Sequence, residues 1–428
     1  MSTANPEVAA PPEHGRAAFT FIFITVCLDM LALGMIVPVL PRLVVEFEGG
    51  NFAKAASITG VFGFVWALMQ FVFSPVLGAI SDHAGRRPVV LASNLGLGLD
   101  YLMMAVAPSL AWLFVGRIVS GITSATFSTA SAYIADVTPP EQRAGQFGKL
   151  GAAFGLGFII GPALGGLLGN YGLRVPFWVA AGLSLANAAY GFFILPESLP
   201  VHRRAPKLEW RAANPVGSMI LLRSQRLLLA LAAATFLYDL AHESLPSMWV
   251  LYTTYRYHWS ERLTGLSLAA VGLGSTLVSA LLVGPAVKRL GERKTLLAGL
   301  LFGALGFALY AGATSSAWFF AAIPLTALWG LAGPPLQSMM SRQVGPSQQG
   351  QLQGAFSSMR GISGMIGPLL FTQVFRGAIA TGLPSWLPGA PYFMAAALVA
   401  ASALVAAAAT TAATTPRDST PPGTRTSP

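Results

Sequence analysis

The stretch Gly78-Ala-Ile-Ser-Asp82-His-Ala-Gly85-Arg86-Arg87 returns 206 positions later as Gly284-Pro-Ala-Val-Lys288-Arg-Leu-Gly291-Glu292-Arg293. The same offset carries Pro140 onto Pro346, Gln142 onto Gln348, Gly148 onto Gly354 and Gly161-Pro162 onto Gly367-Pro368. One ungapped register running through four long apolar segments is an internal duplication, not a chance match. Parallel repeated halves enclosing a site near the bilayer midplane are a secondary-transporter design.

Composition agrees. Of 428 residues, 54% are hydrophobic and 10% charged, against about 25% charged in soluble domains. Such a chain cannot cover itself with polar groups in water, which excludes a soluble enzyme, a disordered chain and a nucleic-acid binder. The single Cys27 allows neither an internal disulfide nor a cysteine metal site.

A span needs about 20 apolar residues, and twelve segments qualify: 19–40, 57–79, 89–107, 110–135, 147–169, 175–195, 226–247, 263–284, 295–313, 316–340, 351–375 and 389–411. The first is expected to be retained rather than cleaved, because it exceeds a signal-peptide core and no small-residue cleavage site follows. The predicted organisation is a cytoplasmic tail (1–18), a six-helix half (19–195), a central cytoplasmic loop (196–225), a second six-helix half (226–411) and a disordered Thr/Pro-rich tail (412–428). With both termini inside, Lys and Arg number 18 on the inner side and 6 on the outer. That bias orients the chain with cytoplasmic termini. Trp112, Trp178, Trp249 and Trp259 fall near span ends and are expected as interfacial anchors.

The short connection Gly78 to Pro88 sets an acid, Asp82, beside Arg86 and Arg87. Plain anchoring explains the arginines but not the acid, so the loop is expected to latch neighbouring helix ends, with Gly78 and Gly85 allowing close approach or positive φ. The fifth span carries Gly151, Gly155, Gly157, Gly161-Pro162, Gly165-Gly166 and Gly169. Small residues at this spacing pack helices closely, and they suit an interface along which two halves rock.

These residues resemble the major facilitator superfamily: the Asp82-His-Ala-Gly-Arg-Arg-Pro88 loop, Gly116-Arg117-Ile-Val-Ser-Gly121 and Gly161-Pro-Ala-Leu-Gly-Gly166. Leu28-Asp29, Pro38-Val-Leu-Pro41, Ala67-Leu-Met-Gln70, Leu99-Asp100-Tyr101, Ala132-Tyr-Ile-Ala-Asp136, Leu195-Pro-Glu-Ser198, Ser341-Arg-Gln-Val344 and Gly350-Gln-Leu-Gln-Gly354 look like the bacterial tetracycline/proton antiporters. The resemblance spans residues 19 to 411. It implies an all-α twelve-helix fold and proton-coupled efflux of a tetracycline-like drug, carried as a Mg chelate, across the bacterial cytoplasmic membrane. It implies no resident cofactor. One departure stands out, because the family's acid in the ninth span is replaced by Gly303.

Ionisable residues inside the bilayer cost about 2.5–3.5 kcal/mol each on insertion scales and so mark function. Asp29, Asp100 and Arg117 lie at mid-depth in the first half, and Asp29 with Arg117 forms the expected proton-coupling pair. A buried carboxylate exchanges its proton as an arginine approaches or leaves. Asp239, His242 and Glu243 share one helix face of the seventh span, and Arg360 of the eleventh reaches similar depth. With Gln70 they are the expected wall of the substrate cavity, a reading preferred over a metal site. Gly78, Asp82, Gly85, Arg86, Arg87, Gly161 and Pro162 are the expected conformational switch. The partners are a small-molecule substrate, protons and the lipid bilayer. Efflux of another drug or metabolite remains the alternative. An intramembrane enzyme is disfavoured, since no Gly-x-Ser-x-Gly or His-Glu-x-x-His motif is present, and a non-transporting sensor is the other less favoured alternative.

Overall fold

A computed structural model describes residues 13–124, 126–206, 217–380, 384 and 386–412. All but the first residue of the tail 412–428, and Lys207 and Arg211 of the central loop, lie outside them. The first half comprises α1 (Glu13–Ile36), α2 (Leu40–Phe47), α3 (Phe52–Ala84), α4 (Arg86–Val106), α5 (Leu110–Thr123), α6 (Thr126–Val137), α7 (Pro140–Gly169) and α8 (Val175–Ile194). The second comprises α9 (Arg226–His242), α10 (Ser244–Tyr257), α11 (Glu261–Leu277), α12 (Val283–Leu290), α13 (Glu292–Gly312), α14 (Ser316–Ala327), α15 (Gly333–Ser341), α16 (Gln349–Ala378) and α17 (Ala390–Ala412).

Helix is dictated by the solvent: lipid offers backbone N–H and C=O groups no partners, so each span must satisfy its own. Among the described residues, eleven segments are long and apolar enough to cross a membrane by length and composition. The twelfth is α16, whose 30 residues suffice in length but include Gln351, Gln353, Ser357, Ser358 and Arg360. Of these Ser358 is buried and the other four are exposed, so α16 turns a polar face to water rather than to hydrocarbon.

Several spans are broken where proline or glycine forbids continuity. Pro246 has no N–H to offer the His242 carbonyl, and the seventh span divides into α9 and α10 at Glu243. The tenth passes through a 3₁₀ turn at Leu328–Leu331 before Pro334 and Pro335. The eighth passes through a π turn at Val278–Leu282. The repeat register sets this π turn opposite Pro75, which lies inside α3, so both halves loosen the same helix at the same level. Gly85 and Gly291, equivalent in the repeat, take φ of +109° and +78°. Only glycine adopts such values without strain.

The repeat also carries an ion pair with its charges exchanged. Arg86 Nε lies 3.0 Å from Asp136 Oδ2 in the first half. The equivalent positions in the second are Glu292 and Arg342, which pair with each other. Both pairs clamp the end that carries the basic loops, called here the basic end.

Trp112 and Trp178 are half exposed, as expected of interfacial residues. Trp249 and Trp259 are not: both are buried at 1% and 3% exposure, and their indole N–H groups donate to Ser267 and Ser316 at 2.8 and 2.7 Å. They anchor an aromatic core with Tyr252, Tyr310, Phe319 and Tyr392. A tryptophan near a span end packs inward when its N–H finds a buried acceptor.

Candidate transport site

The two halves touch along α3 with α16 and α7 with α11, through their ends remote from the basic loops. A Cβ on Gly60 would meet Thr372 Oγ1, and one on Gly63 would meet Pro368. Across the other seam, a Cβ on Gly166 would lie 2.9 Å from Gly265 Cα, and Gly169 meets Glu261. The ion pair Arg42–Glu261 joins α2 to α11 at this same end, and Arg42 also donates to the Trp259 carbonyl. The pairs Arg86–Asp82, Arg86–Asp136, Arg204–Glu197 and Arg342–Glu292 each stay within one half. Towards the basic end, Gly78, Gly148 and Gly151 meet nothing. The molecule is therefore closed at the Arg42 end and open at the basic end.

His242 and Arg360, at mid-depth, are both exposed. Charged groups do not face hydrocarbon freely, so this exposure is to a water-accessible cleft. Arg360 faces Asp239, His242 and Glu243 together, near enough for its charge to act on each. Among the described residues it makes no direct ion pair with either acid. Glu243 packs its Cβ against Gly367 of α16. The cluster sits on the α9–α10 break, the place where discontinuous transporter helices present substrate groups. Gln70 is half-buried on α3, beside Phe71, which packs on Gly361 of α16.

A cavity of about 270 Å³ adjoins this cluster. Its wall includes Tyr238 and His242 of the seventh span, Ser275 and Ser279 of the eighth, and Thr326 and Trp329 of the tenth. All three spans are interrupted at this level. Trp329 stands on the 3₁₀ turn with ring centroids 4.5 Å from Tyr238 and 5.7 Å from His242. Behind it lies Gly303, where a Cβ would come within 2.5 Å of the indole Cδ1. The absence of the expected acid thus has a packing counterpart, because the indole fills the room that a side chain at 303 would need. Trp329 carries no motif and is not legible as a site residue in sequence.

The charge of Arg117 acts on the buried Asp100 carboxylate. Asp100 is 1% exposed, and the Arg117 guanidinium also lies 5.2 Å over the Trp66 ring. Asp29, expected to pair with Arg117, is held by side-chain amides. It accepts from Asn187 Nδ2 at 3.0 Å. With its amide nitrogen turned towards the acid, Asn94 donates to both Asp29 oxygens at 2.9 and 3.3 Å. Asn94 and Asn187 carry the same signal as the acids, a strongly polar side chain inside an apolar span.

The switch residues hold the first half together. Asp82 and Arg86 pair at 2.5 Å, and Arg86 also reaches Ser81 Oγ at 2.6 Å. Glu197, past the end of α8, accepts from the backbone N–H groups of Arg86 and Arg87 at 2.9 and 3.3 Å. Arg87 donates to the Phe192 carbonyl at 2.5 Å. The expected latch therefore binds α3, α4, α6 and α8 to one another rather than to the other half. Gly78 is helical and approached by nothing within 4 Å, so close approach is corrected there, whereas Gly85 does adopt positive φ. Gly161 packs within its own half on Gly34 of α1, while the Pro162 carbonyl faces Gly265 across the seam.

The sequence profile of the Major Facilitator Superfamily matches residues 22–368. The Tetracycline resistance protein, class C, of Escherichia coli is 42% identical over 379 residues, covering 88% of this chain and 94% of that protein. The class G protein of Vibrio anguillarum is 39% identical, covering 89% and 96%. Among solved structures, the human organic anion transporter MFSD10 (TETRAN) superposes with a TM-score of 0.67 at 24% identity, covering 93% and 100%. The nucleoside transporter NupG superposes with 0.74 at 15% identity, covering 92% and 99%. A duplicated bundle of twelve helices, a cleft between its halves and full-length kinship at this level lead to one conclusion: the chain belongs to the Major Facilitator Superfamily and, within it, to the family of the bacterial tetracycline resistance proteins.

Proposed function

We propose that this protein exports tetracycline, as a divalent-metal chelate, from the cytoplasm in exchange for protons, by alternating access in a bacterial cytoplasmic membrane with both termini inside. The observation that carries the reading is the cluster Asp239, His242, Glu243 and Arg360 in the open cleft of a chain from this family. A cationic chelate crossing a low-dielectric cleft needs a counter-charge. Asp239, which forms no ion pair with Arg360 among the described residues, supplies it from the second half, where Gly303 offers none. Gln70 lines the approach from the first half.

Asp29 and Asp100 are the proton carriers in this reading. Both are buried acids, one held by amides and the other facing Arg117. A shift of Arg117 relative to Asp100 changes the proton affinity of that acid, which links helix movement to proton release. Asp82, Gly85, Arg86 and Arg87 keep the first half rigid while it rocks, and Pro162 rides on the seam. The chain acts as a carrier and catalyses no bond change.

The test is uptake into everted vesicles energised to an acid interior, with tetracycline plus Mg²⁺ and with a neutral drug. Wild type is expected to accumulate tetracycline only with the proton gradient. Asp239→Asn should lose the chelate while keeping the neutral drug, and Arg360→Gln should not reproduce that selectivity. Full chelate accumulation by Asp239→Asn would overturn the counter-charge role.

A further inference from the structure

The cavity beside the charged cluster is too small for a whole drug-sized ligand. Its volume of about 270 Å³ falls below the roughly 300–1,000 Å³ of sites that enclose one. No carboxylate or guanidinium lines it. Its wall combines the rings of Tyr238 and Trp329 with the hydroxyls of Ser275, Ser279 and Thr326 and aliphatic side chains such as Ile323. His242 belongs both to this wall and to the group facing Arg360.

Trp329 shapes this chamber at a cost. Its Nε1–H is buried without an acceptor, a deficit of about 1–3 kcal/mol that phenylalanine in the same space would not carry. It fits only because position 303 has no side chain, since a Cβ there would sit 3.0 Å from Nε1. The edge of Phe307 closes the ring stack behind it, with centroids 5.1 Å apart.

We propose that this chamber is a subsite that seats the uncharged planar ring end of the transported compound, with Trp329, braced on Gly303, as its specificity-determining residue. The ionised end of the same compound then reaches Asp239 and Arg360 past His242. The inference rests on the export reading above for the identity of the compound, but its geometry demands only a planar, uncharged, two-ring moiety.

The experiment measures equilibrium binding to the full-length protein in lipid nanodiscs, with tetracycline plus Mg²⁺ and with 2-naphthol as a neutral two-ring probe. Empty nanodiscs correct for partitioning. Trp329→Leu should weaken both probes about tenfold, whereas Trp329→Phe, which keeps a ring, should stay within about threefold of wild type. Gly303→Ala removes no group but drives the indole into the chamber, so it should weaken both probes as well. Size-exclusion profiles and thermal unfolding report folding. If Trp329→Leu does not fold, Gly303→Ala and Trp329→Phe decide. Wild type that binds 2-naphthol but not tetracycline would sink the export reading and leave the subsite standing. Wild type that fails to bind 2-naphthol would overturn the subsite, as would wild-type affinity for both probes in whichever of Trp329→Leu and Gly303→Ala folds.

Discussion

Substituting Gly265 by alanine tests the closed end of the molecule directly. In the present state a Cβ at 265 would lie 2.2 Å from the Pro162 carbonyl oxygen, where ordinary contact begins at 3.4 Å. The shortfall of about 1.2 Å cannot be absorbed by a side-chain rotamer, because the obstacle is backbone. The α7–α11 seam must open, and a gap of that size forfeits a quarter to a half of the dispersion attraction across it. Overpacking of this kind costs about 1–3 kcal/mol, borne only by the state in which the seam is closed. The equilibrium between the two access states should therefore move by about 5- to 150-fold towards the state open at the Arg42 end. Spin labels at Tyr171 and Trp318, exposed residues near that end on opposite halves, would report the change after the single native Cys27 is replaced by serine. Pulsed-EPR distances should shift towards a longer population in Gly265→Ala. A distribution identical to that of the unsubstituted protein would refute the argument that this seam closes the Arg42 end.

Arg42→Ala removes the Arg42–Glu261 pair from the same end and should lengthen the same distances, with Arg42→Lys intermediate. Unchanged distances in both would deny the pair a gating role. Asp29→Asn should abolish proton-driven accumulation in everted vesicles while leaving downhill exchange of labelled substrate, and retained uphill accumulation would place the coupling proton elsewhere. Gly85→Ala is disfavoured twice, by φ of +109° and by a Cβ 2.3 Å from Glu197 Oε2. It should lower the thermal midpoint by several degrees, corresponding to about 1–3 kcal/mol, and a midpoint within one degree of the parent would contradict that strain.

The fold was legible before any coordinates because hydrophobic length and repeat register are properties of the chain alone. Lipid leaves helix as the only local option for the spans, and the offset from Gly78 to Gly284 joins them into two equivalent halves. The same register, applied to charge, marks Arg86 with Asp136 and Glu292 with Arg342 as counterparts. Depth is read from sequence too, since residue count along a helix converts to distance, and it sets Arg360 at about the level of Asp239, with Glu243 one turn further out. Azimuth is not. Which side of a helix faces a given neighbour depends on how the helices and their breaks rotate against each other, so Arg117 acts on Asp100, and Trp249 faces the core rather than the interface. The chamber under Trp329 is likewise a product of the tertiary structure: Gly303 and Trp329 lie on different helices, and neither says anything about the other until packing brings them together.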